Sequence, residues 1–242
     1  MQSVSEVDIL AIGVHPDDIE LACSGSLLHH IDLGHRIGLL DLTRGELGTR
    51  GNAELRTQEA MTAAQQMSAI FRHQLELKDG FFNNEESSLL EIIKIIRAAK
   101  PKIVFANAIK DRHPDHGRAA QLIHNACFYS GLIKIETYWN DKLQAAWRPK
   151  ACYHYIQDYQ LKPDLVIDIS KQIEKKMQLI QCFASQFYNP NSNEPESPIS
   201  SKQFLNVVKA NAQVMGRLIQ VEYGEGFTVD RPIGINDMLT LK

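Results

Sequence analysis

Short apolar runs at 7–14 (VDILAIGV), 37–42 (IGLLDL) and 103–106 (IVFA) alternate with longer segments whose apolar residues recur at helical spacing. Short runs of this kind, bounded by turn residues, are how strands buried on both faces of a parallel sheet read. Between the first two runs, residues 24–33 place Leu27, Leu28 and Ile31 on one helical face and end before Gly34, which completes a β-α-β unit. The composition of 53–70, rich in Ala, Glu, Gln and Met, predicts a helix, and a strand is expected over 74–77. LLEIIKIIRAAK at 89–100 predicts a stronger helix that stops at Pro101, because the residue before a proline is pushed out of the helical region. Further on, strands are expected over 152–156 and 165–169, and helices over 170–183 and 201–218. The expected fold is α/β, a Rossmann-like, mostly parallel sheet with helices on both faces. In such folds the binding residues gather beyond the C-terminal ends of the strands.

A length of 242 residues is enough for one substantial core, and with no internal repeat the chain reads as a single domain, 1–242. Its 26 basic and 29 acidic side chains leave a net charge of −3, which provides no basic footprint for nucleic acid or an anionic membrane surface. A small molecule is the expected partner. No apolar run approaches the ~18 residues of a membrane span, and the N-terminal MQSVSEVDIL has no basic segment ahead of its apolar residues. A cytoplasmic location is therefore expected. The four cysteines, Cys23, Cys127, Cys152 and Cys182, lack any CxxC spacing and read as separate reduced thiols.

Two polar clusters break this apolar framework. His15-Pro16-Asp17-Asp18 follows the first run, and His113-Pro114-Asp115-His116 follows the run at 103–106. Parallel strands would carry both clusters to the same sheet edge. A catalytic zinc site needs about three nitrogen or oxygen ligands and one open position, and His15, Asp18 and His116 fit that count. Asp17 would then stand beside the metal as a general base acting on water. His113 would be a protonated stabiliser of a tetrahedral oxyanion, with Asp115 holding its orientation. Taken singly, Asp17 or Asp18 is more often a helix N-cap than a metal ligand, and His113 more often a hydrogen-bonded loop residue. Two HPD tripeptides, each after an expected strand, are poorly explained as two independent caps. His29, His30, His35, His73 and His124 have no carboxylate at useful spacing and read as surface or core residues, whereas His154 on a strand is either a core or a pocket residue. A dinucleotide site is disfavoured, since VHPDDIELACSG lacks the GxGxxG turn. A non-catalytic module with a structural metal remains an alternative, one that would need neither Asp17 nor His113.

On HPDD at 15–18, TRGELGTRGNAELRTQEA at 43–60 and DRHPDHGRA at 111–119, the chain resembles the PIG-L/LmbE family of zinc-dependent N-acetylglucosamine-type deacetylases. TRGELGTRG, SQFYNP at 185–190 and YGEGF at 223–227 resemble the branch that deacetylates N-acetylglucosaminyl malate in bacillithiol biosynthesis. The likeness runs from about residue 7 to the C-terminus. It implies zinc on His15, Asp18 and His116, Asp17 as general base, His113 at the oxyanion, Arg56 against the substrate, and a homo-oligomer such as a hexamer. It also implies hydrolysis of an acetamide to acetate and a glucosamine-type amine, the amine taking its proton from Asp17 or His113. Other N-acetylated sugars, such as a chitooligosaccharide or an inositol glycoside, are alternative substrates. Where the family more often has HPDDE, this chain has Ile19 before Glu20, which touches no proposed ligand. From its chemistry, Arg56 can clamp a substrate carboxylate or pair with Glu54 or Glu59. Arg50 and Arg112 are further anion contacts, and Tyr188 is expected to move with a mobile loop at 189–201 as part of a lid.

Overall fold

The computed structural model describes residues 3–240, so the ends of the expected 1–242 domain, residues 1–2 and 241–242, lie outside the described residues. Strands β1 (Ile9–Gly13), β2 (Ile37–Asp41), β3 (Phe71–Gln74), β4 (Ile103–Ala106), β7 (Ala151–Tyr155), β8 (Leu165–Asp168) and β9 (Gly224–Val229) form one sheet in the order β3-β2-β1-β4-β7-β9-β8. The five strands from β3 to β7 pair in parallel, and β9 lies antiparallel to both β7 and β8. Among the described residues, seven α-helices connect or flank them: α1 (Asp18–Ala22), α2 (Ser24–Asp32), α3 (Ala53–Met67), α4 (Glu86–Ala99), α5 (Pro114–Tyr129), α6 (Ile173–Gln181) and α7 (Lys202–Leu218). A two-stranded hairpin of β5 (Tyr138–Trp139) and β6 (Lys142–Leu143) stands apart from the sheet.

Both faces of the sheet are covered, and the alternation of side chains along β1 shows how. Leu10, Ile12 and Val14 belong to a core built with Ile92 and Ile96 of α4 and Leu122 and Ile123 of α5. Ile9 and Ala11 belong to the opposite core with Leu27 and Leu28 of α2, Met67 of α3 and Leu179 of α6. After β1 the chain first builds outward through β2 and β3, then returns to β4 on the other side. The split between β1 and β4 is a topological switch point, where α/β sheets open a crevice at the strand ends.

Several elements depart from the sequence expectation. The third strand is Phe71–Gln74 and not 74–77: α3 stops at Ser68 in a left-handed cap (φ 66°), and the chain enters the sheet almost at once. Leu75 and Leu77 still donate to Asp41 and Leu42, so the expected run trails along the same edge. β9 lies in GEGFTV, whose glycines disguise a strand. A Cβ at Gly224 would stand 2.6 Å from Val166, so the small residue is what allows β9 to sit against β8. The cysteines are free, as expected, but Cys127 and Cys152 are not separate, since their thiols face each other between α5 and β7. No helix among the described residues is long and apolar enough to cross a membrane.

Candidate metal and catalytic centre

The chain leaves β1 at Gly13 and turns so that Asp18 folds back onto its own strand end. The backbone N–H groups of Val14 and His15 both donate to Asp18 Oδ2 at 3.0 Å. Asn107, just past β4, donates its amide to the same oxygen at 3.0 Å, and Gln157 donates to Oδ1 at 2.9 Å. This carboxylate is fixed by the sheet edge. Asp17 occupies the N-cap position of α1 but makes no side-chain cap bond, so capping does not account for it. Its φ of 131° is a strained conformation for a residue with a side chain, of the kind that costs roughly 1–3 kcal/mol and gathers at functional sites.

Arg56 holds that strained turn in place. Its Nη2 donates to Asp17 Oδ2 at 3.1 Å and to the Pro16 carbonyl at 2.9 Å, and its Nη1 donates to the Gly45 carbonyl at 3.0 Å. Gly45 has φ +64°, and a Cβ there would overlap Arg56 Nη1, so only glycine lets the guanidinium lie against this loop. Arg56 therefore pairs with neither Glu54, which is bonded to Arg44, nor Glu59, which is bonded to Ser185.

From the β4 side, His113 and His116 enter with α5, His113 as its N-cap. One ring nitrogen from each of His15, His113 and His116 lies within 4.8 Å of the others. His116 Nε2 is 3.1 Å from Asp18 Oδ1, and His15 Nδ1 is 3.7 Å from Asp18 Oδ2. The remaining nitrogens are held from outside: His15 Nε2 by Asp79 at 2.9 Å, and His116 Nδ1 by Asp111 at 2.5 Å. A histidine that donates one N–H to a carboxylate turns the lone pair of its other nitrogen inward, which is how metal-ligating imidazoles are usually held. Two atoms bound at about 2 Å to one tetrahedral ion lie roughly 3.3 Å apart, and the two distances to Asp18 bracket that value. The donor set of two imidazoles and one carboxylate fits a divalent metal such as zinc.

The electrostatics follow the same geometry. Burial pushes the Asp17 carboxyl up to about 7, with Arg56 pulling against it and Asp18 adding to the rise. Burial also works to raise Asp18, but His116, His15 and the backbone donors outweigh it and keep the group well below the usual carboxylate range. His116 is opposed by burial but raised to about 10 by Asp18 and Asp111. Burial lowers His113, helped by the neighbouring His15 and His116. Both effects favour the neutral ring over the protonated His113 expected from the sequence. Its Nδ1 accepts the Asp115 backbone N–H at 3.3 Å, so the neutral ring carries its proton on Nε2 and remains a hydrogen-bond donor. Asp115 also differs from expectation: its backbone, and not its carboxylate, orients His113. The carboxylate bonds Arg118 at 2.8 Å and the Gly80 N–H at 2.9 Å.

A cavity of about 310 Å³ opens over these residues, polar at the base and apolar along a wall that includes Ile199, Phe204, Val208 and Met215. Arg56 Nε and Gln157 Oε1 of the lining, and Asn107 Oδ1 behind Asp18, are buried without a hydrogen-bond partner among the described residues. Arg50 lines the cavity but is already committed, donating to the Ser185 carbonyl at 2.8 Å and, within the 189–201 loop, to Ser192 Oγ at 2.8 Å and the Pro195 carbonyl at 3.4 Å. That loop is tied down where mobility was expected, and its Ser197, Pro198 and Ile199 form part of the cavity wall. Tyr188 does not line the cavity and is 43% exposed. Arg112 stands at the rim, paired with Asp158 at 2.6 Å. Sequence reasoning missed Asp79, Asn107, Asp111 and Gln157. Asp111 alone had a signal, five residues before His116; the others reach the site only through the fold.

A family model described as PIG-L, GlcNAc-PI de-N-acetylase, matches residues 10–127. A diacetylchitobiose deacetylase of Thermococcus kodakarensis is 28% identical over 189 residues, covering 74% of this chain and 70% of that protein. YaiS of Escherichia coli, described as an uncharacterised deacetylase, is 34% identical over 125 residues, which are 49% of this chain and 67% of YaiS. A 4-oxalmesaconate hydratase of Pseudomonas putida is 23% identical over 192 residues, 73% of each chain, so relatives that share this framework do not all carry one reaction. Among solved structures, the conserved protein TT1542 from Thermus thermophilus matches with a TM-score of 0.84 and 29% identity, covering 96% of this chain and 98% of that one. By the PIG-L match to its N-terminal half and by its 34% identity to YaiS, the chain belongs to the PIG-L family.

Proposed function

We propose that the protein is a zinc-dependent deacetylase that hydrolyses the acetamide of an N-acetylglucosaminyl conjugate, with N-acetylglucosaminyl malate as the preferred substrate. The observation that carries the reading is the pairing of two inward-facing imidazoles on Asp18 with a second, strained and buried carboxylate, Asp17, beside them. His15, Asp18 and His116 would hold the metal. When bound there, the metal supplies Lewis acidity, polarising the acetamide carbonyl and lowering the pKa of water. Asp17 is the general base: with a pKa of about 7 it can accept a proton from the attacking water and return it to the departing amine. Arg56 orients Asp17 and tempers its basicity. His113 donates from Nε2 to the oxygen on which negative charge develops, a contact of the kind whose loss lowers kcat by about 10²–10³.

A deacetylase reading is supported by the family model and by the names of the 28% and 34% identical relatives. The malate conjugate is supported by TRGELGTRG, SQFYNP and YGEGF, and by Arg112, the one arginine of the cavity held by a single side-chain partner at the rim. A substrate carboxylate can displace Asp158 from it. We expect the active unit to be a homo-oligomer. Amine release is measured with N-acetylglucosaminyl malate, diacetylchitobiose and free N-acetylglucosamine on zinc-loaded protein. Preference for the malate conjugate, reduced by Arg112→Gln, supports the reading. Preference for diacetylchitobiose retains the deacetylase and removes the substrate, and no amine from any of the three removes both.

A further inference from the structure

On the other side of Asn107 lies a second cluster of metal-binding side chains that the catalytic chemistry does not use. His124 of α5, His154 of β7 and Asp230, the residue after β9, each offer one ligand atom within 4.8 Å of the others. His124 Nδ1 is 2.9 Å from Asp230 Oδ2, and His154 Nε2 is 3.8 Å from the same oxygen. None of the three lines the catalytic cavity. His154, expected as either a core or a pocket residue, is 2% exposed, and its ring points into this cluster.

The orientation of His154 sets the chemistry. Its Nδ1 is 2.8 Å from the Asn107 carbonyl, an acceptor only, so in the neutral ring Nδ1 carries the proton and Nε2 presents a bare lone pair. A buried imidazole whose outer nitrogen is fixed by a carbonyl is oriented as metal-ligating histidines are. Two neighbours add to it. The Cys152 sulfur stands beside it, 4.0 Å from His154 Nε2. Thr228, the cross-strand partner of His154 and so on the same face, has a buried hydroxyl without a hydrogen-bond partner among the described residues. Two imidazoles and a carboxylate with a soft sulfur nearby suit a borderline ion such as zinc better than calcium or magnesium, which take oxygen ligands.

The geometry points to a second transition-metal site formed by His124, His154 and Asp230, which pins the chain after β9 to α5. Asn107 bonds both centres, its amide to Asp18 and its carbonyl to His154. Because His124 and Asp230 are about half exposed, replacing them leaves the core intact. The test loads metal-stripped full-length protein with excess zinc chloride, removes loosely held ion by desalting and counts zinc per chain by mass spectrometry. Two zinc ions are expected for wild type, one for His124→Ala and for Asp230→Asn, one for Asp18→Ala, and none for His124→Ala combined with Asp18→Ala. In the Asp18→Ala protein, zinc should still raise the melting temperature, and His124→Ala should abolish that rise. Wild type holding one zinc per chain, or His124→Ala and Asp230→Asn still holding two, would overturn the proposal.

Discussion

Replacing Gly45 by alanine tests how the glycine-rich segment serves the centre. Gly45 sits at φ +64°, where an L residue with a Cβ pays ~1–2 kcal/mol. The new methyl group overlaps Arg56 Nη1, so the guanidinium must leave its bonds to Asp17 and to the Pro16 and Gly45 carbonyls. Asp17, with a pKa already at about 7, answers by taking up a proton, which limits the further loss to the ~1.5–3 kcal/mol of charged hydrogen bonds. The combined loss is about 2.5–5 kcal/mol. Turnover at pH 7 should fall about 10²-fold, the usual cost of misplacing a catalytic group by an ångström. Part of that loss should return as pH rises, because a base freed from Arg56 ionises only at higher pH. Gly34→Ala is the control, since Gly34 also has a positive φ (86°) but no neighbour within 4 Å of its Cβ. It should lose only ~1–2 kcal/mol and keep its kcat. Urea denaturation and amine-release kinetics on both variants decide the matter. If Gly45→Ala keeps wild-type kcat, or loses no more stability than Gly34→Ala, Arg56 does not position Asp17.

Further expectations concern the surroundings of the site. Arg72 is fully buried, bidentate to Asp41 at 2.7 Å and bonded to Glu20 at 2.6 Å, so Arg72→Met strands two buried carboxylates and should cost about 3–5 kcal/mol in urea denaturation. Asp79→Asn and Asp111→Asn should each weaken zinc binding by about 10–100-fold in a competition titration, because each removes a carboxylate that aims a ligand. In the metal-free protein His116 holds its proton up to about pH 10. Zinc must expel that proton at any lower pH, so affinity should rise with pH toward 10, and calorimetry at pH 7 in buffers of different ionisation enthalpy should show a proton released on binding.

Much of this centre was legible along the chain because parallel strands bring distant segments to one edge. HPDD and HPDH each follow a short apolar run, and β1 and β4 are neighbours, so His15, Asp17, Asp18, His113 and His116 stand together in the structure. What was illegible depends on three-dimensional neighbours. Nothing in LKDGFF marks Asp79 as the partner of His15, and nothing in GEGFTV marks a strand, since glycine reads as a turn until Val166 and Met215 are packed against it. The arginines show the same limit. Charge and spacing say that Arg50 and Arg56 can bind an anion, but only the fold shows that backbone carbonyls already take most of their donors. His124 looked partnerless because Asp230 lies 106 residues away in sequence.

The most direct test of the centre measures zinc content and amine release on the same preparations of wild type, Asp17→Ala and Asp18→Ala. Counts are made with His124→Ala in every background, so that only the catalytic site is scored. Asp17→Ala should keep its zinc and lose about 10²–10⁴ in kcat, the usual worth of a general base. Asp18→Ala should lose both. An Asp17→Ala protein with near-normal turnover would contradict the assignment of the base, and an Asp18→Ala protein that keeps its zinc would contradict the assignment of the metal.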